Sequence, residues 1–134
     1  MPLQLKIITP KKIVLDKEVT SITVPSAQGE LTILPKHQHL FALLVEGIII
    51  MKTNEAEDYL AIGGGYVETD GKEVKLLVSR AYGQSDIDEK LTLQALDEAK
   101  QLLKMAKDTA SRNEATAMLR RSIIDHKLIK RRKR

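Results

Sequence analysis

The sequence predicts an α+β protein: a β-sandwich or barrel comes first and an antiparallel pair of helices follows. Two observations carry this. Up to Gly83, short runs rich in Val, Ile, Leu and Thr are punctuated by Gly, Pro, Asp or Asn roughly every 8 to 12 positions, the spacing of an all-β layer. From Gln84 to Arg134 glycine and proline are absent, and apolar residues recur at helical spacing instead. The expected division is 1–84 for the sheet and 85–134 for a helical hairpin.

Each element has its own reason. Leu3, Leu5 and Ile7 alternate before Thr9-Pro10, as a half-buried strand requires. Val19, Ile22 and Val24 lead into the turn-forming stretch Pro25-Ser26-Ala27-Gln28-Gly29, and Leu31 and Ile33 end at Pro35. Ile48 to Thr53, Tyr59 to Ile62, Tyr66 to Thr69 and Val74 to Ser79 supply further strands. Asp70-Gly71 reads as a tight hairpin, because a two-residue primed turn needs positive φ. In the second part, Asp86 followed by Glu89 reads as a capping box. Leu93, Leu96, Ala99 and Leu103 then recur at helical spacing, as do Ala95, Leu102 and Ala106. A second run carries Ala115, Met118, Leu119, Ser122 and Ile123, extended by Ile124, Leu128 and Ile129. The break is expected between Lys107 and Arg112, around Asp108, Thr109 and Ser111. Both stripes are thin and Ala-rich, so the hairpin is expected to need a surface to dock on.

With 134 residues, 43% of them hydrophobic and 30% charged, the chain can build one real core and is not broadly disordered. No apolar run approaches the roughly 20 residues of a spanning helix. No secretory signal is expected, since no basic region precedes an apolar stretch at the start. Any membrane association is therefore expected to come through a partner. Zero cysteines exclude disulfides, thiol catalysis and thiolate metal sites. The net charge of +4 is unevenly held: residues 1–84 carry nine Lys/Arg against ten Asp/Glu, whereas 112–134 carry nine against two. The basic character belongs to the final stretch, ending Lys130-Arg131-Arg132-Lys133-Arg134.

His37-Gln38-His39 invites a metal reading, since alternate strand residues share a face, but a third ligand is missing: the remaining histidine, His126, lies in the helical part. No metal site is expected. Gly63-Gly64-Gly65 lacks the Lys-Ser/Thr of a phosphate loop and opens no helix; it reads as a strand bend or a close backbone approach. Glu55, Glu57 and Asp58 read as a solvated hairpin, and no catalytic constellation is found. The basic helical tail suits an acidic protein surface as well as it suits nucleic acid. Against nucleic acid, the aromatics are only Phe41, Tyr59, Tyr66 and Tyr82, with no cluster for base stacking.

Three segments in order resemble one family. They are Thr9-Pro10, then Gly29-Glu30-Leu31-Thr32-Ile33-Leu34-Pro35-Lys36-His37, then Gly63-Gly64-Gly65-Tyr66-Val67-Glu68. With Ser85-Asp86-Ile87-Asp88 at the expected helix start, they are similar to the epsilon subunit of F-type ATP synthase. The resemblance covers essentially the whole chain. It implies an antiparallel β-sandwich of about ten strands followed by the helical hairpin. It further implies a non-enzymatic central-stalk rotor subunit of a proton-transporting synthase, without a cofactor or small-molecule substrate. Such a subunit joins gamma, sits on the c-ring, and reaches the alpha and beta subunits of the catalytic head. It lies at the cytoplasmic face of a bacterial inner membrane, touching the membrane only through the complex, and its helices restrain ATP hydrolysis.

By position, Gly29 and Glu30 fall in the loop the family presents to the c-ring, and Leu34, Pro35 and His37 where it approaches gamma and the ring. The tail residues expected to reach the catalytic head are Arg112, Arg120, Arg121, Lys127, Lys130, Arg131 and Arg132. Two departures matter. Thr32 and His39 replace the usual glycine and proline of the loop. Some members bind ATP through I-D-x-x-R-A at the first helix; here Ile87 and Asp88 stand, but Leu91 and Thr92 replace the Arg and Ala. Without the arginine fork, Asp88 is expected to leave at most a weak nucleotide site. The alternative reading is a nucleic-acid-binding β-barrel with a basic helical tail; a metal enzyme built on His37 and His39 lacks ligands.

Overall fold

Strict alternation builds the first strand. In β1 (Leu3–Ile8) Leu3, Leu5 and Ile7 are fully buried while Gln4, Lys6 and Ile8 face outward. The computed structural model describes residues 2–36, 39–83 and 86–132, with Arg132 for its backbone only; Met1, His37, Gln38, Gln84, Ser85, Lys133 and Arg134 lie outside the described residues. The chain divides into two compact units, 1–82 and 83–134.

The first unit holds ten strands: β1, β2 (Ile13–Val19), β3 (Ser21–Ser26), β4 (Gly29–Ile33), β5 (Leu40–Leu44), β6 (Gly47–Lys52), β7 (Glu57–Ile62), β8 (Gly65–Thr69), β9 (Glu73–Val78) and β10 (Ala81–Tyr82). Their order is β10-β7-β6-β3-β5-β8-β9-β1-β2, with β4 on β3. A single register pair, Ser26 with Leu44, joins β3 to β5, so the strands form two halves facing each other. Both halves feed one core: Leu3, Leu5, Ile7, Val67 and Leu76 from one, Ile22, Val24, Ile33, Ile49 and Met51 from the other. All pairings are antiparallel except β1 with β9, which is parallel.

Two turns differ from the sequence reading. Pro25 and Ser26 belong to β3, not to the turn: Pro25 is in register with Glu30 and Ser26 with Gly29, leaving Ala27-Gln28 as the loop. Pro25 has no N–H to offer the ladder, and its carbonyl accepts from Val45 N at 2.9 Å. In the β8–β9 hairpin the loop is Gly71-Lys72, closed by Asp70 N donating to the Glu73 carbonyl at 3.3 Å. Positive φ occurs there at Gly71 alone, +91°. Asp70 serves instead as a turn acceptor, its Oδ1 taking the amides of Lys72 and Glu73, both at 2.9 Å. These donors hold its carboxyl below the usual carboxylate value.

The second unit is a helical hairpin of α1 (Glu89–Met105) and α2 (Thr109–Arg132). The cap of α1 is Asp88, not Asp86: Asp88 has extended φ/ψ and its Oδ1 accepts from Leu91 N at 3.0 Å. Asp86 reaches backward, its Oδ2 accepting from Gly83 N at 3.0 Å. The break is narrower than expected, 106–108, because Asp108 caps α2 by accepting from Ser111 N at 2.7 Å. Thr92 and Ala99 of α1, and Ala115 and Ser122 of α2, are buried. Ala99 and Ala115 stand equally far from the connection, as do Thr92 and Ser122, so antiparallel packing pairs small residue with small residue and lets the axes approach. The two buried hydroxyls are satisfied within their own helices, Thr92 to the Asp88 carbonyl at 2.8 Å and Ser122 to Met118 at 3.0 Å.

Candidate functional site

An antiparallel sheet with one wet face alternates apolar-in and polar-out. One half of the sandwich breaks that rule along a line. Leu43 of β5 is in register with Tyr66 of β8, Tyr66 with Leu77 of β9, Leu77 with Ile8 of β1, and Ile8 with Ile13 of β2. Their chain neighbours Leu44, Val67, Leu76 and Ile7 point into the core, so the row faces outward. At about 4.8 Å per strand it crosses about 19 Å of sheet. Leu43 and Ile13 are 61% and 57% exposed, and Phe41 and Val45 add two further exposed apolar side chains beside Leu43. Phe41 lies 5.1 Å from Tyr66 between ring centroids, a tilted aromatic pair on the surface. A contiguous apolar strip on a water-facing sheet is costly unless something covers it.

This strip was missed in the sequence, although a signal exists. Leu40-Phe41-Ala42-Leu43-Leu44-Val45 is apolar without interruption. In a strand that leaves three apolar side chains outside whichever register is chosen.

The loop residues singled out by sequence are present at the surface but not in one place. Gly29 has φ +119° in the β3–β4 turn, where its Cβ would meet open space, and Glu30 beside it is exposed. Leu34, half-exposed, and Pro35 follow the other end of β4, about 16 Å away along a five-residue strand. There Lys36, at φ +66°, donates its amide to the Gly71 carbonyl at 3.0 Å, pinning the segment to the β8–β9 turn. His37 lies outside the described residues. The Gly29 end is the strip's end of the sandwich: Ala27 N donates to the Leu43 carbonyl at 2.9 Å.

In the helical unit Arg112, Arg120, Arg121, Lys127, Lys130 and Arg131 are exposed, and the Arg132 side chain lies outside the described residues. At 3.6 residues per turn, Arg112, Arg120, Lys127, Lys130 and Arg131 share one face of α2, away from the Ala115–Ser122 seam. A shallow depression of about 430 Å³ opens at the hairpin tip, lined by Leu102, Met105 and Met118 with Asp108 and Glu114 at its edge. Asp88 is committed to capping α1. The carboxyl of Asp108 is held below its usual value by the Ser111 amide and then by the Ser111 hydroxyl.

Among the described residues no three His, Asp or Glu side chains come together as metal ligands, and no helix is long and apolar enough to cross a membrane. Within Gly63-Gly64-Gly65 the close backbone approach is made at Gly65, whereas Gly63 faces side chains and Gly64 only ordinary contact. A Cβ on Gly65 would strike the Leu77 carbonyl and stand 2.8 Å from Val78 Cα; one on Gly63 would strike Ser79 Oγ and stand 2.9 Å from Arg80 Nη1.

Comparison with known proteins agrees with this geometry. Residues 2–84 match the family described as ATP synthase, delta/epsilon chain, beta-sandwich domain. The ATP synthase epsilon chain of Sulfurovum sp. is 37% identical over 109 residues, covering 81% of this chain and 84% of the relative. That of Herpetosiphon aurantiacus is 33% identical over 124 residues, covering 92% and 91%. A chain in the structure of Euglena gracilis mitochondrial ATP synthase, OSCP/F1/c-ring, shares the fold with a TM-score of 0.80 at 23% identity, covering 88% of this chain and 75% of that one. With a sandwich matched along its full length and relatives that run on into the helices, the chain belongs to the ATP synthase delta/epsilon family.

Proposed function

We propose that this chain is a central-stalk rotor subunit of a proton-transporting F-type ATP synthase. It performs no chemistry. Its sheet domain, taken as 1–84, docks on gamma and the c-ring, and its helical domain, 85–134, restrains ATP hydrolysis. The observation that carries the reading is the outward apolar strip Leu43–Tyr66–Leu77–Ile8–Ile13. A rotor element must be held firmly enough to carry torque, and a broad apolar contact does that without a cleft. The strip is the docking face for gamma. The Gly29-Glu30 turn, at the same end of the sandwich, meets the c-ring, and Leu34 and Pro35 extend the contact elsewhere.

The second unit supports the regulatory half. Its seam sets Ala99 by Ala115 and Thr92 by Ser122, larger side chains are buried only at Leu128 and Ile129, and Leu91 and Met105 remain more than half exposed. Such a hairpin holds itself together weakly and has apolar surface left for a partner. The basic face of α2 is suited to an acidic surface on the catalytic head, an attraction that salt weakens. In this reading the subunit lies at the cytoplasmic face of a bacterial inner membrane, reaching it only through the complex. The test is ATP hydrolysis by the cognate head lacking this subunit, with the full chain or one ending at Gln84 added. Suppression by the full chain alone, with both forms co-migrating with the head, is expected. If neither form binds, the rotor reading fails; if both bind and neither inhibits, the restraining role fails.

A further inference from the structure

Three connections meet at the end of the sandwich from which the chain leaves for the helices. They are the β5–β6 turn with Glu46, the β7–β8 turn with Gly63 and Gly64, and the β9–β10 turn with Ser79 and Arg80. Arg80 touches all three. Its Nη2 donates to Glu46 Oε2 at 2.7 Å, and both side chains are less than one-third exposed. Its carbonyl accepts from Gly63 N at 3.0 Å, while the neighbouring Ser79 N donates to the Gly64 carbonyl at 3.0 Å. Its Cγ and Nη1 lie 3.1 and 2.9 Å from where a Gly63 Cβ would be. The guanidinium therefore occupies space that only a glycine leaves.

The strand that follows is short. β10 is two residues long, held by register pairs of Ala81 with Ile62 and Tyr82 with Ala61, and it is the last element of the first unit. Two register pairs are a short ladder for the point where the chain passes to the helical unit.

We propose that Arg80, seated over Gly63 and tied to Glu46, is a latch that fixes β10 to the sandwich and so sets where the helical arm departs. It is a positioning residue, acting on β10 and not on any partner directly. The latch is reversible by construction. One end of the guanidinium is paired by charge, but Nε is buried with no hydrogen-bond partner among the described residues, so the closed state is held less firmly than a fully bonded arginine would be.

The test is hydrogen exchange along the full chain for the wild type, Arg80→Lys and Glu46→Gln, with Gly63→Ala and the Gly63→Ala/Arg80→Ala pair for coupling. Arg80→Lys and Glu46→Gln are expected to speed exchange of the 80–83 segment roughly tenfold, the worth of one charge-assisted hydrogen bond, and to leave β1 and β2 unchanged. Gly63→Ala is expected to be disruptive alone and measurably milder beside Arg80→Ala, because two of its three near contacts are then gone and only the Ser79 hydroxyl, which can rotate, remains. Unchanged exchange at 80–83 in both mild variants would overturn the latch. So would equal damage from Gly63→Ala with and without Arg80. Neither readout requires gamma or the head, so the latch can fail while the rotor reading stands, and the reverse.

Discussion

Three consecutive glycines should tolerate alanine to three different degrees. At Gly65 the added Cβ meets backbone: it strikes the Leu77 carbonyl and stands 2.8 Å from Val78 Cα and 2.9 Å from Leu77 C. Carbon atoms prefer about 3.5 to 4.0 Å, so β8 and β9 must part by close to 1 Å. Gly65 is in register with Val78 at the end of the β8–β9 ladder and with Leu44 at the end of the β5–β8 ladder, so β8 cannot move there without straining pairings on both sides. Gly65→Ala is therefore expected to cost about 3 kcal/mol or more, the upper end of overpacking. For a unit of this size that lowers the melting temperature by roughly 12 °C or more. At Gly64 the nearest atom is the Leu44 carbonyl oxygen at 3.5 Å, ordinary contact, and alanine should stay within about 0.5 kcal/mol of wild type. At Gly63 the obstacles are side chains of Ser79 and Arg80, which can rotate, so the cost should fall between, about 1 to 2 kcal/mol. Denaturant unfolding, followed through the amide signals of β1 and β9, measures all three. A wild-type midpoint for Gly65→Ala, or equal loss at Gly64 and Gly65, would refute the close-approach account.

The helical unit yields two further expectations. Ala99 is fully buried at the helix seam, so Ala99→Leu should force α1 and α2 apart at about 1 to 3 kcal/mol, seen as faster amide exchange from Thr92 to Ser122; unchanged protection would mean that the seam is not where the helices meet. Asp108 has a folded-state pKa below its ordinary 3.8, because the Ser111 amide and hydroxyl bond its charged form. Its support for the first turn of α2 is thus fully present above 3.8 and is lost as the pH falls through the lower folded value. Asp108→Asn should remove that acid step from the Ser111 amide signal; an identical step in the variant would assign it to another group.

Much of the fold was legible because its signals are local. Alternation at Leu3, Leu5 and Ile7 fixes a strand by itself, and the absence of Gly and Pro after Gly83 allows long helices. β2 was less legible: Asp16-Lys17-Glu18 interrupts its apolar pattern because it is an edge strand whose charges discourage further pairing. The Asp86 cap failed for a similar reason, since Asp86 and Asp88 are equivalent by residue type and only the backbone path selects Asp88. The docking strip was hidden for a different reason. Leu43, Tyr66, Leu77, Ile8 and Ile13 are far apart in the chain and become a row only through register across five strands, which no local pattern specifies. Glu46 and Arg80 likewise become partners only when three turns converge on Gly63.

The most direct measurement is binding of the full chain to the cognate gamma-containing head, comparing Leu43→Asp/Ile13→Asp with Glu30→Ala. The first pair changes both ends of the strip at exposed positions, so the sandwich should keep its stability while the contact gains two buried charges. The account predicts that the double variant no longer co-migrates with the head, whereas Glu30→Ala, at the c-ring turn, binds it as wild type does. Wild-type affinity in the double variant, with the fold intact, would contradict the claim that this face is where the subunit docks.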